Sequence, residues 1–317
     1  MKPRVASIGH LNLDIYVRVD EIPKPDSRET CREAYIAPGG AATNYAITIS
    51  KLCGYSILIA SCGLDVIGDF LIDRLKVLNI DIKHIKRVNE TTGFVIVIVD
   101  NRGVKYMIGN SGANKYLTLT DEDLKVLENV DHVHVVLSEI EVLKEVLEKI
   151  SSINVKSISL GLRTEIAKLG IDFIEKFDIR FNYMFMNFQE AYLMFKTENF
   201  EHKIRDLYDK CREFIITLGD RGSLIIIEDS KYLIQPFKVN VIDTTGAGDV
   251  YSAVYTYMRI LGVEPEIAGK IASAYSALKC TKRGGSNVPE PYEVYRFLLE
   301  NGCRREAEIL QSQVLEK

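Results

Sequence analysis

Short runs of apolar, often β-branched residues recur along the chain at Val5–Gly9, Ser56–Ala60, His132–Leu137, Tyr183–Met186 and Phe214–Leu218. Such compact runs are the pattern of strands buried in a sheet. Between them lie stretches with apolar residues at helical spacing, such as Ala41–Leu52, closed by Gly54, and Asp69–Leu78. Strands spaced by helices predict a mostly parallel sheet with helices on both faces, an α/β fold of three layers. Ligands of such sheets bind at the carboxyl ends of the strands, so the loops there are where chemistry is expected.

One part of the pattern departs from this alternation. Phe94–Val99 and Val104–Ile108 flank Asp100-Asn101-Arg102-Gly103, a sequence suited to a hairpin turn. Val17–Ile22 and Glu33–Ile36 also read as extended, with Pro23 and Pro25 between them. Together these pieces predict a small antiparallel sheet set into the main domain, over roughly residues 15–37 and 92–110. An ordinary surface hairpin would read the same way. No repeat or linker divides the chain, so residues 1–317 are expected to form one domain, ending in a charged helical tail over Arg304–Lys317.

Composition narrows the function. A net charge of −4 gives no electrostatic support to a nucleic-acid partner. No apolar run reaches membrane-spanning length, and the N-terminus leads straight into a strand, so no membrane role and a cytoplasmic location are expected. The cysteines at 31, 53, 62, 211, 280 and 303 form no C-x-x-C pair, and the histidines form no H-E-x-x-H. They read as small, mostly buried apolar residues, not as a zinc site or disulfide framework.

The chemistry gathers in Val241-Ile242-Asp243-Thr244-Thr245-Gly246-Ala247-Gly248-Asp249-Val250. After it, Val250, Ala253, Val254, Tyr257, Ile260 and Leu261 recur at helical spacing, and Gly262 ends the helix. Gly246, Ala247 and Gly248 therefore sit at a helix N-terminus, where unpaired amides and the helix dipole attract an anion. Asp249 lies in the first turn. A helix cap or favourable terminal charge accounts for one acid there, but not for the Gly-Ala-Gly beside it. A carboxylate beside an anion site suits phosphoryl transfer to an alcohol: the acid accepts the hydroxyl proton and the amides hold the moving charge. The helix start should also make Asp249 a weaker base, a tension eased if the proton moves late. The chain has no G-x-x-x-x-G-K-[ST], no G-x-G-x-x-G after a strand and no H-R-D loop, so any nucleotide site follows another design.

These residues resemble the ribokinase-like, or PfkB, family of sugar and nucleoside kinases. Asp243–Asp249 looks like its C-terminal signature, and Gly39-Gly40-Ala-Ala-Thr-Asn44 like its N-terminal one. Gly63-Leu-Asp65-Val-Ile-Gly68-Asp69, Asn187-Phe-Gln-Glu190 and Thr217-Leu-Gly219-Asp-Arg-Gly222 fall between them in family order. The resemblance implies a ribokinase-like fold with a β lid, and an enzyme that uses ATP with Mg²⁺. It makes Asp249 the base and Gly246, Ala247 and Gly248 the anion hole. It gives Asn12, Asp14, Gly39, Gly40 and Asn44 to the acceptor pocket, although Asn12 and Asp14 alone also read as a turn after the first strand. Asn187, Thr217, Gly219, Gly222, Thr281 and Gly284 fall to the nucleotide side, with Glu190 on Mg²⁺ through water. Asn187 and Glu190 also read as a helix capping box, and Gly222 as a turn residue. The helix Ala272–Lys282 would wall the adenine pocket. Lids of two subunits would pack together in a homodimer, covering an apolar face that includes Phe94, Ile96 and Ile98.

The chain departs from the family in two places. Leu160-Gly161-Leu162-Arg163 stands where many members carry Asp-Pro or Asn-Pro, and the loop after Gly285 is shorter than in members that bind potassium there. Asp243 is the candidate for such a cation. A small sugar is the expected acceptor, with a nucleoside as the alternative, since Tyr16, Tyr35 or Tyr106 could stack on a base. A phosphate-bearing sugar would need a basic clamp, for which Arg102, Lys105 and Arg163 are candidates. A catalytically silent sugar sensor on the same fold is the reading from a different class.

Overall fold

The structure is a computed structural model describing residues 2–52, 54–102, 104–228 and 230–316. Cys53, and Gly103 of the expected hairpin turn, lie outside the described residues. The strands in chain order are β1 (Arg4–Gly9), β2 (Asn12–Arg18), β3 (Glu33–Gly39), β4 (Tyr55–Gly63), β5 (Ile80–Asp81), β6 (Ile85–Val88), β7 (Gly93–Val99), β8 (Lys105–Asn110), β9 (His132–Val136), β10 (Ile158–Gly161), β11 (Phe181–Asn187), β12 (Cys211–Thr217), β13 (Ser223–Ile227) and β14 (Ser230–Ile234).

The main sheet runs β14-β13-β12-β11-β10-β9-β1-β4-β5, with β6 also paired to β4. Pairings from β12 through β5 are parallel, and β12-β13-β14 add an antiparallel edge. Both faces are buried. In β4, Ile57 and Ile59 face one apolar cluster while Leu58 and Ala60 face the other; in β12, Phe214 and Ile216 oppose Ile215 in the same way. This double burial explains why the strands read as apolar runs. Four helices, Ala41–Lys51, Ala247–Ile260, Pro265–Cys280 and Pro291–Glu300, supply much of the first cluster. The charged tail forms the helix Arg304–Leu310 and a short π-helical stretch, with Ala307, Leu310 and Val314 buried.

The second sheet is ordered β3-β2-β7-β8. β2-β3 and β7-β8 are antiparallel, and β2-β7 is parallel. This lid begins earlier than expected, because Asn12 and Asp14 lie inside β2 and not in a turn after β1. The extended reading of Val17–Ile22 fails beyond Arg18: the chain leaves the sheet there and returns at Glu33. Asp65 ties the lid to the main body. It caps the helix Val66–Val77 by accepting from the Gly68 amide at 2.7 Å, and it also accepts from the Thr92 amide at 2.7 Å and the Thr92 hydroxyl at 2.6 Å.

Among the described residues Cys31, Cys62, Cys211, Cys280 and Cys303 are free thiols; only Cys62 and Cys211 are buried, Cys280 and Cys303 are half-buried and Cys31 is exposed, so the set is less buried than expected. No described helix is long and apolar enough to cross a membrane.

Candidate active site

The parallel strands β1, β9, β10, β11 and β12 end at Gly9, Val136, Gly161, Asn187 and Thr217, and the site forms over these ends. The helix Ala247–Ile260 points its N-terminus at them. Gly246 caps it with φ 75°, a left-handed conformation that a side chain would strain, and a Cβ there would stand 2.5 Å from the Gly285 carbonyl oxygen. The Ala247 amide donates to the Thr244 carbonyl at 3.2 Å, so it is partly spent on the turn. The amides of Gly248 and Asp249 have no carbonyl one turn back inside the helix. Gly248 is exposed, with open space where its Cβ would be.

A cavity of ≈ 630 Å³ lies over this turn, with Thr217, Gly219 and Gly222 on one side and Ala247, Gly248 and Ser276 on the other. Its size is that of small-molecule sites. Thr281 and Gly284 are not among its lining residues. The Thr281 hydroxyl turns back to the Leu278 carbonyl at 2.7 Å, while the Gly284 amide donates to Asp243 at 2.9 Å on the lid side. A narrower space of ≈ 100 Å³ joins Arg163, Asn187, Glu190, Thr217, Gly248 and Asp249. There Asn187 and Glu190 form a capping box on the helix Phe188–Phe195, each side chain accepting from the other's amide at 2.9 Å. Burial raises the Glu190 carboxyl pKa, opposed by the Asn187 amide and the charge of Arg163. Among the described residues no group of three or more His, Cys, Asp or Glu side chains is placed to hold a metal ion.

On the lid side, Asn12, Asp14 and Tyr16 alternate along β2 and so share one face. Gly39 pairs with Asn12 in register and touches the Asp14 side chain: a Cβ at Gly39 would stand 2.1 Å from that carboxyl carbon. Gly40 then caps the helix Ala41–Lys51, which carries Asn44 inward. The Asn44 side-chain amide donates to Asp249 at 2.8 Å, and its own buried carbonyl oxygen has no partner among the described residues. Acceptor-pocket and base residues expected from separate motifs therefore meet directly.

Three acids converge here. Burial, then the charges of Asp249 and Asp243, push the Asp14 carboxyl up to about 7. Burial also raises Asp249, opposed by Arg163, by the Asn44 hydrogen bond and by Lys279. The helix start favours the ionised carboxylate, whereas burial disfavours it. Asp243 runs the other way: burial would raise it, but hydrogen bonds from Lys105, Thr245 and Gly284 bring it to about 2.

Several residues of this site carry no motif. Asn114 accepts from the Leu11 amide at 3.0 Å and donates to the Asn12 side chain at 2.7 Å, fixing which way Asn12 faces. Glu139, just after β9, accepts from His10 and, at 2.6 Å, from Ser111. Burial would raise its carboxyl, but His10 and Ser111 together bring it down to about 2. Tyr16 and Tyr35 stack on one another with centroids 4.7 Å apart.

Comparison with known proteins places the chain in one family. A family model described as pfkB family carbohydrate kinase matches residues 2–291. An ATP-dependent ribose-1-phosphate kinase of Halopiger xanaduensis is 27% identical over 94% of this chain and 98% of its own length. The crystal structure of a ribokinase from Thermotoga maritima superposes with a TM-score of 0.77 at 25% identity, covering 94% of this chain and 99% of that one. A nucleoside kinase of Methanocaldococcus jannaschii, described as an archaeal member of the ribokinase family, gives 0.78 at 26% identity, covering 95% and 100%. With a family match over nearly its whole length and a site built at the strand ends of this fold, the chain belongs to the pfkB family of carbohydrate kinases, phosphotransferases that act on a hydroxyl acceptor.

Proposed function

We propose that this protein, a single kinase domain over residues 1–317, transfers the γ-phosphoryl group of ATP to a hydroxyl of a small sugar. The observation that carries the reading is the position of Asp249. It is hydrogen-bonded to Asn44 on the acceptor side, and it follows Gly248, which lines the large cavity. Asp249 accepts the hydroxyl proton as the acceptor oxygen bonds to the γ-phosphorus. The bond from phosphorus to the bridging oxygen breaks, and ADP leaves with that electron pair. The helix start at Gly246–Gly248 stabilises the negative charge on the moving group, and Arg163 adds a positive charge nearby. Burial raises the basicity of Asp249 against the pull of the helix N-terminus. Asn12 and Asp14 hold the acceptor hydroxyls, with Asn12 oriented by Asn114.

Glu190 and Asn187 fit a hydrated Mg²⁺ bound chiefly by the nucleotide phosphates, since this ion keeps much of its water. When bound it would neutralise phosphate charge. The ATP donor fits a cytoplasmic location.

An unphosphorylated acceptor fits the lid better than a phosphorylated one. Arg102 is tied to Asp100 at 2.6 Å and Lys105 to Asp243 at 2.9 Å, so two of the basic candidates are already committed. A nucleoside is the second reading, favoured by the half-buried Tyr35, which stacks on Tyr16 and with it lines a cavity of ≈ 180 Å³ beside Asp243. A panel of sugars and nucleosides with Mg-ATP, read by mass spectrometry of the products, decides between them. Binding of an acceptor with no phosphorylated product from any would support the silent sensor instead.

A further inference from the structure

Asp243 was a candidate for a monovalent metal cation, and its surroundings do not suit one. One carboxylate oxygen accepts from the Thr245 amide at 3.0 Å, the Thr245 hydroxyl at 2.7 Å and the Lys105 ammonium at 2.9 Å. The other accepts from the Gly284 amide at 2.9 Å. On the main chain, the Asp243 carbonyl accepts from the Lys279 ammonium at 3.1 Å, and the Lys282 carbonyl lies 3.4 Å from the same nitrogen. Lys279 is fully buried. A buried ammonium has to be compensated, and the acids acting on it are Asp243 and Asp249, the two ends of the phosphoryl-transfer segment. A metal ion would have to displace one of the two ammonium groups from these oxygens.

The two lysines come from different layers. Lys279 lies on the helix Pro265–Cys280, in the main body, next to Cys280, whose carbonyl accepts from the amides of Ile242 and Asp243. Lys105 begins β8 at the lid edge and crosses to the body to reach Asp243. A second lid-to-body pair, Arg283 with Glu33 of β3, lies on the same side. The turn that starts the anion-binding helix is thus held by one charge from its own body and one from the lid.

We propose that Lys279 and Lys105 are the built-in cations of the Asp243 turn, so that this kinase needs no monovalent metal ion and completes its anion site only with the lid down. Both are positioning residues: they act through Asp243 and the turn, not on the phosphoryl group. The inference rests on the kinase reading for its rate arm, and on ion binding alone for its stability arm.

The test compares wild type and Lys105→Ala in potassium and in tetramethylammonium at constant ionic strength. Wild type is expected to turn over equally in both, with a melting temperature that does not respond to potassium. Lys105→Ala should lose ~10–100-fold in kcat, the scale of one hydrogen bond to a charged group. Potassium or methylammonium should restore part of the loss and raise the variant's melting temperature, because a ligand of the folded state stabilises it. Activation of wild type by potassium would overturn the proposal. So would a Lys105→Ala enzyme as fast as wild type, or a slow one that no cation rescues. If wild type phosphorylates no acceptor the kinase reading fails, and the melting-temperature arm still decides the cation claim.

Discussion

Asn44 and Asp249, carried by two helices that pack against each other and 205 residues apart in sequence, are joined by a 2.8 Å hydrogen bond. That bond engages one Asp249 oxygen; in the proposed mechanism the other takes the proton of the acceptor hydroxyl. Asn44→Ala should lower kcat ~10–100-fold, the cost of a hydrogen bond to a charged group. Asn44→Asp should be worse near neutral pH, because a second carboxyl beside the base makes the pair share a proton and moves the rising limb of the rate profile to higher pH. Steady-state kinetics across pH checks both.

Asp14 gives a stability signature opposite to that of a salt-bridged acid. Its carboxyl is raised from 3.8 to about 7, so between these values the folded protein holds a proton that the unfolded chain has lost. Its contribution is fully present below the lower value and is lost as pH rises through the upper one. Asp14→Asn stays neutral throughout. It should therefore melt at a higher temperature than wild type above about pH 7 without ligand, while its acceptor KM rises. Thermal melts across pH, with and without acceptor, read out both effects; a variant less stable than wild type at high pH would contradict them.

Glu190 caps a helix, and one substitution separates that from its proposed role toward Mg²⁺. Glutamine keeps the capping box, because its side chain still accepts from the Asn187 amide. Glu190→Gln should therefore melt close to wild type but need more Mg²⁺ to reach its maximal rate. Glu190→Ala should lose stability as well, by ~0.5–2 kcal/mol for the broken cap. A Mg²⁺ titration of rate beside a thermal melt tests this.

The lid predicts an oligomer. Register places Ile15, Ile36, Ile96 and Ile108 on one face, away from Asp14, and Ile36 and Ile108 are 53% and 60% exposed. An apolar strip of this kind calls for a partner surface, and a second lid supplies one of matching chemistry. Light scattering should give a dimer, and Ile108→Glu should give a monomer. Wild type that is monomeric at all concentrations would rule the dimer out.

Much of this was legible in the chain because backbone geometry demanded particular residues. The Asp243–Asp249 segment is stripped to small residues where Gly246 takes a left-handed turn against Gly285, and that need leaves a local mark. Gly39 marks Asp14 in the same way, by leaving room for it. Asn114, Glu139, Lys105 and Lys279 left no such mark. Each acts through partners brought close only by the fold, and a lone Lys at a strand edge or an Asn in a loop looks like any solvated residue. Taken alone, the N-x-D pair also reads as a turn, because β1 and β2 are only two residues apart; they belong to different sheets, and no local spacing says so.

The central claim is that Asp249 takes the acceptor's proton at the anion-binding helix start. The most direct measurement is turnover of Asp249→Asn on whichever acceptor the panel identifies, alongside calorimetric binding of that acceptor and of ATP. The kcat of Asp249→Asn should fall ~10²–10⁴-fold or more, the usual contribution of a positioned base, with both ligands still bound. A variant that binds both and turns over near the wild-type rate would contradict it.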